Sequence, residues 1–269
     1  MQLVDRGHGP PIVLIPGIQG RWEWMRPTVE ALAGHFRVLT FSLADEPSCG
    51  RPVAARGATF DAYVEQVCEA LAQAGLERAV ICGISYGGLI AAAFATRHPE
   101  QVTALVLVSA LPPTWRPDER IRRYLRAPRL MAPLFCLGSV RLLPEFVTAA
   151  GGRAAGLADA LGHAWRALTH PFGPSRMAGR AVGVEQVVLG DPARMSAPVL
   201  VVTGDPALER VVPVALTLQY TRMWPGAEVA RLERTGHLGS VTTPAAFAAL
   251  VRQFVSRHGA GAGADGEQS

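Results

Sequence analysis

Five short apolar runs, each stopped by a turn residue and followed by helical periodicity, restrict this chain to very few architectures. Ile12-Val13-Leu14-Ile15 ends in Pro16-Gly17, Phe36 to Phe41 ends in Ser42, and Ala79-Val80-Ile81-Cys82 ends in Gly83. Ala104 to Val108 ends in Ser109, and Val199-Leu200-Val201-Val202 ends in Thr203-Gly204. None of these runs alternates apolar with polar residues. Each must therefore be covered on both faces, which is the situation of a strand inside a parallel sheet. Helical spacing marks 27–33, 59–74, 87–97, 214–223 and 244–257. Strands and helices taking turns predict a doubly wound α/β domain with a mostly parallel sheet.

The alternation stops between Leu111 and Ala197. Leu125, Leu130, Leu134, Phe135, Leu142, Leu143 and Phe146 recur there at helical spacing, and no convincing strand appears. This predicts a helical cap insertion at 111–197, lying over the C-terminal edge of a sheet built from 1–110 and 198–258. The Gly/Ala-rich end, 259–269, reads as a disordered tail.

At 269 residues, 49% of them hydrophobic and 18% charged, the chain can bury a large core. All 26 of its basic residues are Arg. The absence of Lys excludes Schiff-base chemistry, a Ser-Lys dyad and a P-loop lysine. The net charge is +4, and the one cluster (Arg116, Arg120, Arg122, Arg123, Arg126, Arg129) reads as a solvated helix face, so no nucleic-acid partner is expected. The four cysteines lack metal-site spacing, so no metal and no cofactor are expected. Met1 to Pro11 has no signal-peptide pattern, and no apolar run approaches the length of a membrane span. The expected location is cytoplasmic, with free thiols.

Gly83-Ile84-Ser85-Tyr86-Gly87-Gly88 follows one buried run and opens a helix. A G-x-S-x-G turn in that context strains the backbone at the serine, and small neighbours keep strand and helix from colliding. The serine hydroxyl is lifted above the sheet edge, beside the positive end of the helix. Ser85 is thus a candidate nucleophile, and it needs a base. Of seven histidines, His8 and His258 lie in polar ends, His35 in a turn, His98 at a helix end, and His163 and His170 in the insertion. His237 sits in Thr235-Gly236-His237-Leu238, after a strand-like Glu228–Glu233 segment and before the last helix, where a base is needed.

Pro16-Gly17, the serine turn, the Gly204-to-Pro213 loop and Gly236-His237 resemble, in order and spacing, the α/β-hydrolase superfamily. The resemblance covers residues 3–257 and implies a helical cap between the sixth and seventh strands. It also implies hydrolysis of esters and related acyl bonds. The family order of serine, acid and histidine puts the acid in Gly204-Asp205-Pro206-Ala207-Leu208-Glu209-Arg210-Val211-Val212-Pro213. Counting back from Pro213 selects Glu209, and Asp205 is the alternative. By the same resemblance, the backbone N–H groups of Tyr86 and Ile18 form the oxyanion hole.

Gln19 and Trp22 are candidates for the acyl pocket, Trp24 for core packing, and Phe135, Trp165 and Phe172 for an apolar lining in the insertion. Asp45 and Glu46 read as local turn bonding. The expected function is a cofactor-free serine hydrolase cleaving a carboxylic ester or thioester through an acyl-enzyme. Its partner would be a small-molecule substrate with an apolar part. A lyase, C–C hydrolase or acyltransferase using the same residues, or a slow small-molecule-binding relative, stands as the alternative. Dehalogenation would need a carboxylate at position 85.

Overall fold

The computed structural model describes residues 1–50 and 58–259. The tail expected at 259–269 lies, apart from Gly259, outside the described residues. Chain order runs β1 (Val4–Arg6), β2 (Pro11–Ile15), α1 (Arg26–Ala33), β3 (Arg37–Thr40), α2 (Phe60–Gln73), β4 (Ala79–Ile84), α3 (Tyr86–Arg97) and β5 (Val102–Val108). A run of helices follows: α4 (Glu119–Arg126), α5 (Pro128–Gly138), α6 (Leu143–Ala149), α7 (Arg153–Thr169) and α8 (Pro174–Gly183). The chain then returns to β6 (Val199–Thr203), α9 (Val214–Thr217), α10 (Tyr220–Met223), β7 (Glu228–Arg231), α11 (Gly239–Thr242) and α12 (Pro244–Gly259).

The strands form one sheet in the order β1-β3-β2-β4-β5-β6-β7, parallel throughout except for β1 against β3. The unalternated runs are buried on both faces, as their composition requires. Val13, Ile15, Leu39, Ile81, Leu105, Leu107 and Val201 face one side, packed with Val64 and Val67 of α2 and Leu89 and Ile90 of α3. Ile12, Leu14, Val38, Val80, Cys82, Val106, Leu200 and Val202 face the other, packed with Val29 and Leu32 of α1 and Phe247, Val251 and Phe254 of α12. The register sets Leu14 beside Cys82 and Val106 beside Leu200, so each layer is continuous across the sheet.

The structure differs from the sequence expectations in four places. β1 is an added strand at the sheet edge, drawn in by its backbone ladder to β3 and not by apolar side chains. The 214–223 helix is two short helices, and Tyr220 reaches from the second to donate its hydroxyl to the Leu111 carbonyl at 2.8 Å. The run of helices leaves the sheet after β5 and rejoins it at β6, one strand earlier than the family count implied, because this sheet has seven strands among the described residues. Finally, Pro128–Ala149 is long and apolar enough to cross a membrane by length and composition, which corrects the expectation that no run approaches that length. It is broken by a 3-10 turn at Ser139–Leu142, and Glu145 and Phe146 are buried against the rest of the molecule.

Candidate active site

Parallel strands bring their C-terminal ends to one edge, and the chain meets there in a laced set of loops. The Ser85 N–H donates to the Val108 carbonyl at 2.9 Å, and the Leu111 N–H returns to the Ser85 carbonyl at 3.0 Å. The Ser109 N–H reaches the Val202 carbonyl at 2.8 Å, and the Asp205 N–H reaches the Thr235 carbonyl at 2.7 Å. The turns after β4, β5, β6 and β7 are therefore fixed to one another without side chains.

Ser85 sits between β4 and α3 at φ 56°, ψ −117°, a backbone conformation L side chains rarely adopt. Such strain costs about 1–3 kcal/mol and persists only where the surroundings enforce it. Three glycines enforce it here. A Cβ on Gly83 would meet the Gly87 carbonyl oxygen at 2.2 Å, one on Gly87 would meet Ile15 O at 2.4 Å, and one on Gly88 would meet the Ala110 methyl at 2.3 Å. The start of α3 is thereby pressed against the Ile15-Pro16-Gly17 turn, and a Cβ on Gly17 would lie 3.6 Å from Ser85 Cβ. Tyr86 is the first residue of α3, so its N–H has no partner within the helix.

Glu209 and His237 meet on the neighbouring loops. His237 Nδ1 lies 3.3 Å from Glu209 Oε2, and both side chains are buried, 8% and 2% exposed. The other carboxylate oxygen accepts the N–H groups of Val211 and Val212 at 2.7 and 3.0 Å. Burial acts to raise the Glu209 carboxyl, but His237 beside it and these two N–H donors outweigh it and hold it below the usual carboxylate range. Asp205 is engaged elsewhere. Its Oδ1 closes a local turn on the Ala207 N–H at 2.9 Å, and its carbonyl accepts from Leu208 and Glu209. This turn carries the chain round to Glu209.

The turn holding Ile18 is tied to the helical segment. Arg180 of α8 donates Nη1 to the Ile18 carbonyl at 2.7 Å and its other nitrogens to Asp45 and Glu46, while Arg176 also pairs with Glu46. Arg180, Asp45 and Glu46 are all buried. The expectation that Asp45 and Glu46 serve only local turn bonding is thereby corrected: both face across to α8, where they neutralise arginine. Arg180 is held still more firmly protonated, burial opposing this and Asp45 outweighing it.

A second carboxylate reaches the edge from α6. Glu145 is 1% exposed, and its Oε1 accepts the Leu238 N–H at 2.8 Å. Burial pushes its carboxyl up to about 7, with Gly236, His237 and Leu238 pulling the other way and Glu209 adding to the rise. The signal for it in the sequence was a lone acid inside the apolar stretch Leu142-Leu143-Pro144-Glu145-Phe146-Val147, where an ionisable group needs a buried partner.

The aromatic candidates divide. Phe135 and Phe172 lie edge to face, centroids 5.5 Å apart, in a chain that continues to Tyr124 on one side and to Trp24, His163 and Phe146 on the other. Trp24 also donates its indole N–H to the His170 carbonyl at 2.9 Å. Trp165 stands apart from this chain, 67% exposed on α7. Trp22 packs against the core layer of α1 and α12, and Gln19 Oε1 lies 3.2 Å from where a Gly17 Cβ would stand.

The profile of the Alpha/beta hydrolase family matches residues 12–250. A protein of Azorhizobium caulinodans named as the carbamate hydrolase RutD is 27% identical over 252 residues, 92% of each chain. The pimeloyl-acyl-carrier-protein methyl ester esterase of Vibrio cholerae is 25% identical, over 93% of this chain and 96% of its own. Among solved structures, the enol-lactonase from Burkholderia xenovorans LB400 superposes with a TM-score of 0.73 at 22% identity, over 95% of this chain and 96% of the other.

Proposed function

Because this chain belongs to the α/β-hydrolase family, we propose that it is a cofactor-free serine hydrolase that opens a carboxylic ester or thioester through an acyl-enzyme on Ser85. The observation that carries this is the buried Glu209–His237 contact, which commits Nδ1 to the acid and leaves Nε2 for a hydroxyl. In this reading Ser85 Oγ attacks the carbonyl carbon and its proton passes to His237 Nε2. Glu209 holds the ring and offsets the charge of the imidazolium. The N–H groups of Tyr86 and Ile18 bind the oxyanion, a contribution of about 3 kcal/mol per donor in comparable sites. Collapse breaks the bond to the leaving alkoxide or thiolate, which takes the proton from Nε2. Water then repeats the sequence, giving up its proton to His237 as it attacks the acyl carbon.

The helical segment 111–197 acts in this reading as a cap. Its support is that α6 and α8 each contact a different loop of the site, through Glu145 and Arg180. The aromatic chain of Phe135 and Phe172 offers an apolar surface for a small-molecule acyl or alkyl part. Relatives named for carbamate and methyl ester hydrolysis both concern bonds to an acyl carbon, which favours acyl transfer over the C–C and lyase alternatives. The test is labelling by a fluorophosphonate probe with Ser85→Ala as control. Labelling of the wild type alone is expected, and an unlabelled wild type overturns the reading.

A further inference from the structure

Glu145 is a carboxylate that the acyl-transfer scheme does not use, yet it is buried beside the base. Charge withdrawn from water is costly unless something compensates it. Here the Leu238 N–H compensates Oε1, and Oε2 is buried without a hydrogen-bond partner among the described residues. That oxygen would lie 2.9 Å from a Cβ on Gly236, so the carboxylate is packed against the residue just before His237. Glu145 thus touches the residues on both sides of the imidazole while Glu209 holds the ring at Nδ1.

We propose that Glu145 is a second positioning acid for His237, supplied by the helical segment: it fixes the Gly236–Leu238 turn and, when ionised, supports the imidazolium alongside Glu209. The inference rests on the role of His237 as base given above. The proton taken from Ser85 stays on Nε2, and Glu145 acts through its field and its grip on the turn. The charged and titratable groups around it are few. His237 and Arg234 come from the loop after β7, where Arg234 bonds the Ala149 carbonyl, and Glu209 comes from the loop after β6. Arg141 lies one turn earlier along the same stretch, and His163 of α7 faces the adjacent Phe146. Glu209 opposes ionisation of Glu145, and a charged imidazole at His237 favours it.

The test is the imidazole titration of His237 followed by NMR, assigned with His237→Asn, in wild type, Glu145→Gln and Glu145→Asp. The amide of Glu145→Gln would keep an acceptor for the Leu238 N–H, so a merely structural role leaves the titration where it is. The proposal expects Glu145→Gln to lower the His237 pKa by about half to one unit. The acidic limb of the kcat/KM profile should move with it, and Glu145→Asp should restore part of the shift. An unchanged His237 titration in Glu145→Gln overturns the proposal. A shifted titration in a protein that takes no fluorophosphonate keeps the Glu145–His237 coupling and sinks the serine hydrolase reading instead.

Discussion

Arg180, whose side chain is wholly buried, donates to the Ile18 carbonyl at 2.7 Å and is itself clamped by Asp45 and Glu46. The peptide that follows the Ile18 N–H proposed to hold an oxyanion is thus anchored by a guanidinium from another layer. Replacing Arg180 by Met leaves Asp45 without its arginine and Glu46 with Arg176 alone, and breaking such a buried pair costs about 3–5 kcal/mol. Chemical denaturation should show a loss of that size. Arg180→Lys keeps the charge but loses the planar fork, so a milder loss with kcat reduced about tenfold is expected. Wild-type stability in Arg180→Met would show that the cluster does not hold the turn.

Glu209 and Asp205 separate by turnover. Glu209→Gln keeps the bulk near His237 but removes the charge and, with its oxygen held by the Val211 and Val212 N–H groups, turns an NH2 donor toward Nδ1 and selects the wrong tautomer, so kcat should fall by about a hundredfold to ten-thousandfold. Asp205→Asn keeps an acceptor for the Ala207 N–H and should stay within about threefold. Steady-state kinetics on a p-nitrophenyl ester measures both, and the reverse ranking would transfer the acid role to Asp205.

Gly83→Ala should be poorly tolerated because its new methyl would run into backbone and not into a side chain that can turn aside. Overpacking of this kind costs about 1–3 kcal/mol. Thermal melts should place Gly83→Ala well below Gly226→Ser, a turn position with open space around it and no left-handed backbone.

Two buried carboxylates give the fold opposite responses to pH. Glu145 is raised on folding to about 7, so the folded state holds its proton more tightly than the unfolded chain. Its contribution is fully present below the ordinary carboxylate value and is lost as pH rises through about 7. Glu209 is lowered, so its contribution is present above the ordinary value and lost as pH falls. The stability of Glu145→Gln relative to wild type should therefore rise from pH 5 to pH 8, by up to about 3 kcal/mol in chemical denaturation. A constant difference across that range would show that Glu145 does not titrate there.

The parallel sheet was legible because Val, Ile and Leu runs without alternation admit one environment, and Ser85 because glycines flank it at fixed offsets. The Glu209–His237 contact was legible only through the resemblance, by counting back from Pro213, because Asp205 in the same loop is an equally ionisable carboxylate. The contacts of Asp45, Glu46, Arg180 and Glu145 were opaque for a shared reason. Their partners lie 93 to 162 residues away, and no local period announces a contact made by folding one layer onto another. β1 escaped because its three residues carry no apolar pattern and owe their conformation to β3.

The two polar contacts from α6 and α8, one to Leu238 and one to Ile18, also bear on how a substrate arrives. They clasp the helical layer at two separate points, like a strap buckled at both ends. Swinging that layer away as a rigid body would strip partners from a buried guanidinium and a buried carboxyl in the same motion. In the proposed hydrolase, entry by parting the side chains of Tyr124, Phe135 and Phe172 would leave both buckles fastened. On that proposal, substitutions among those side chains would change what enters while leaving the Arg180–Ile18 and Glu145–Leu238 contacts intact.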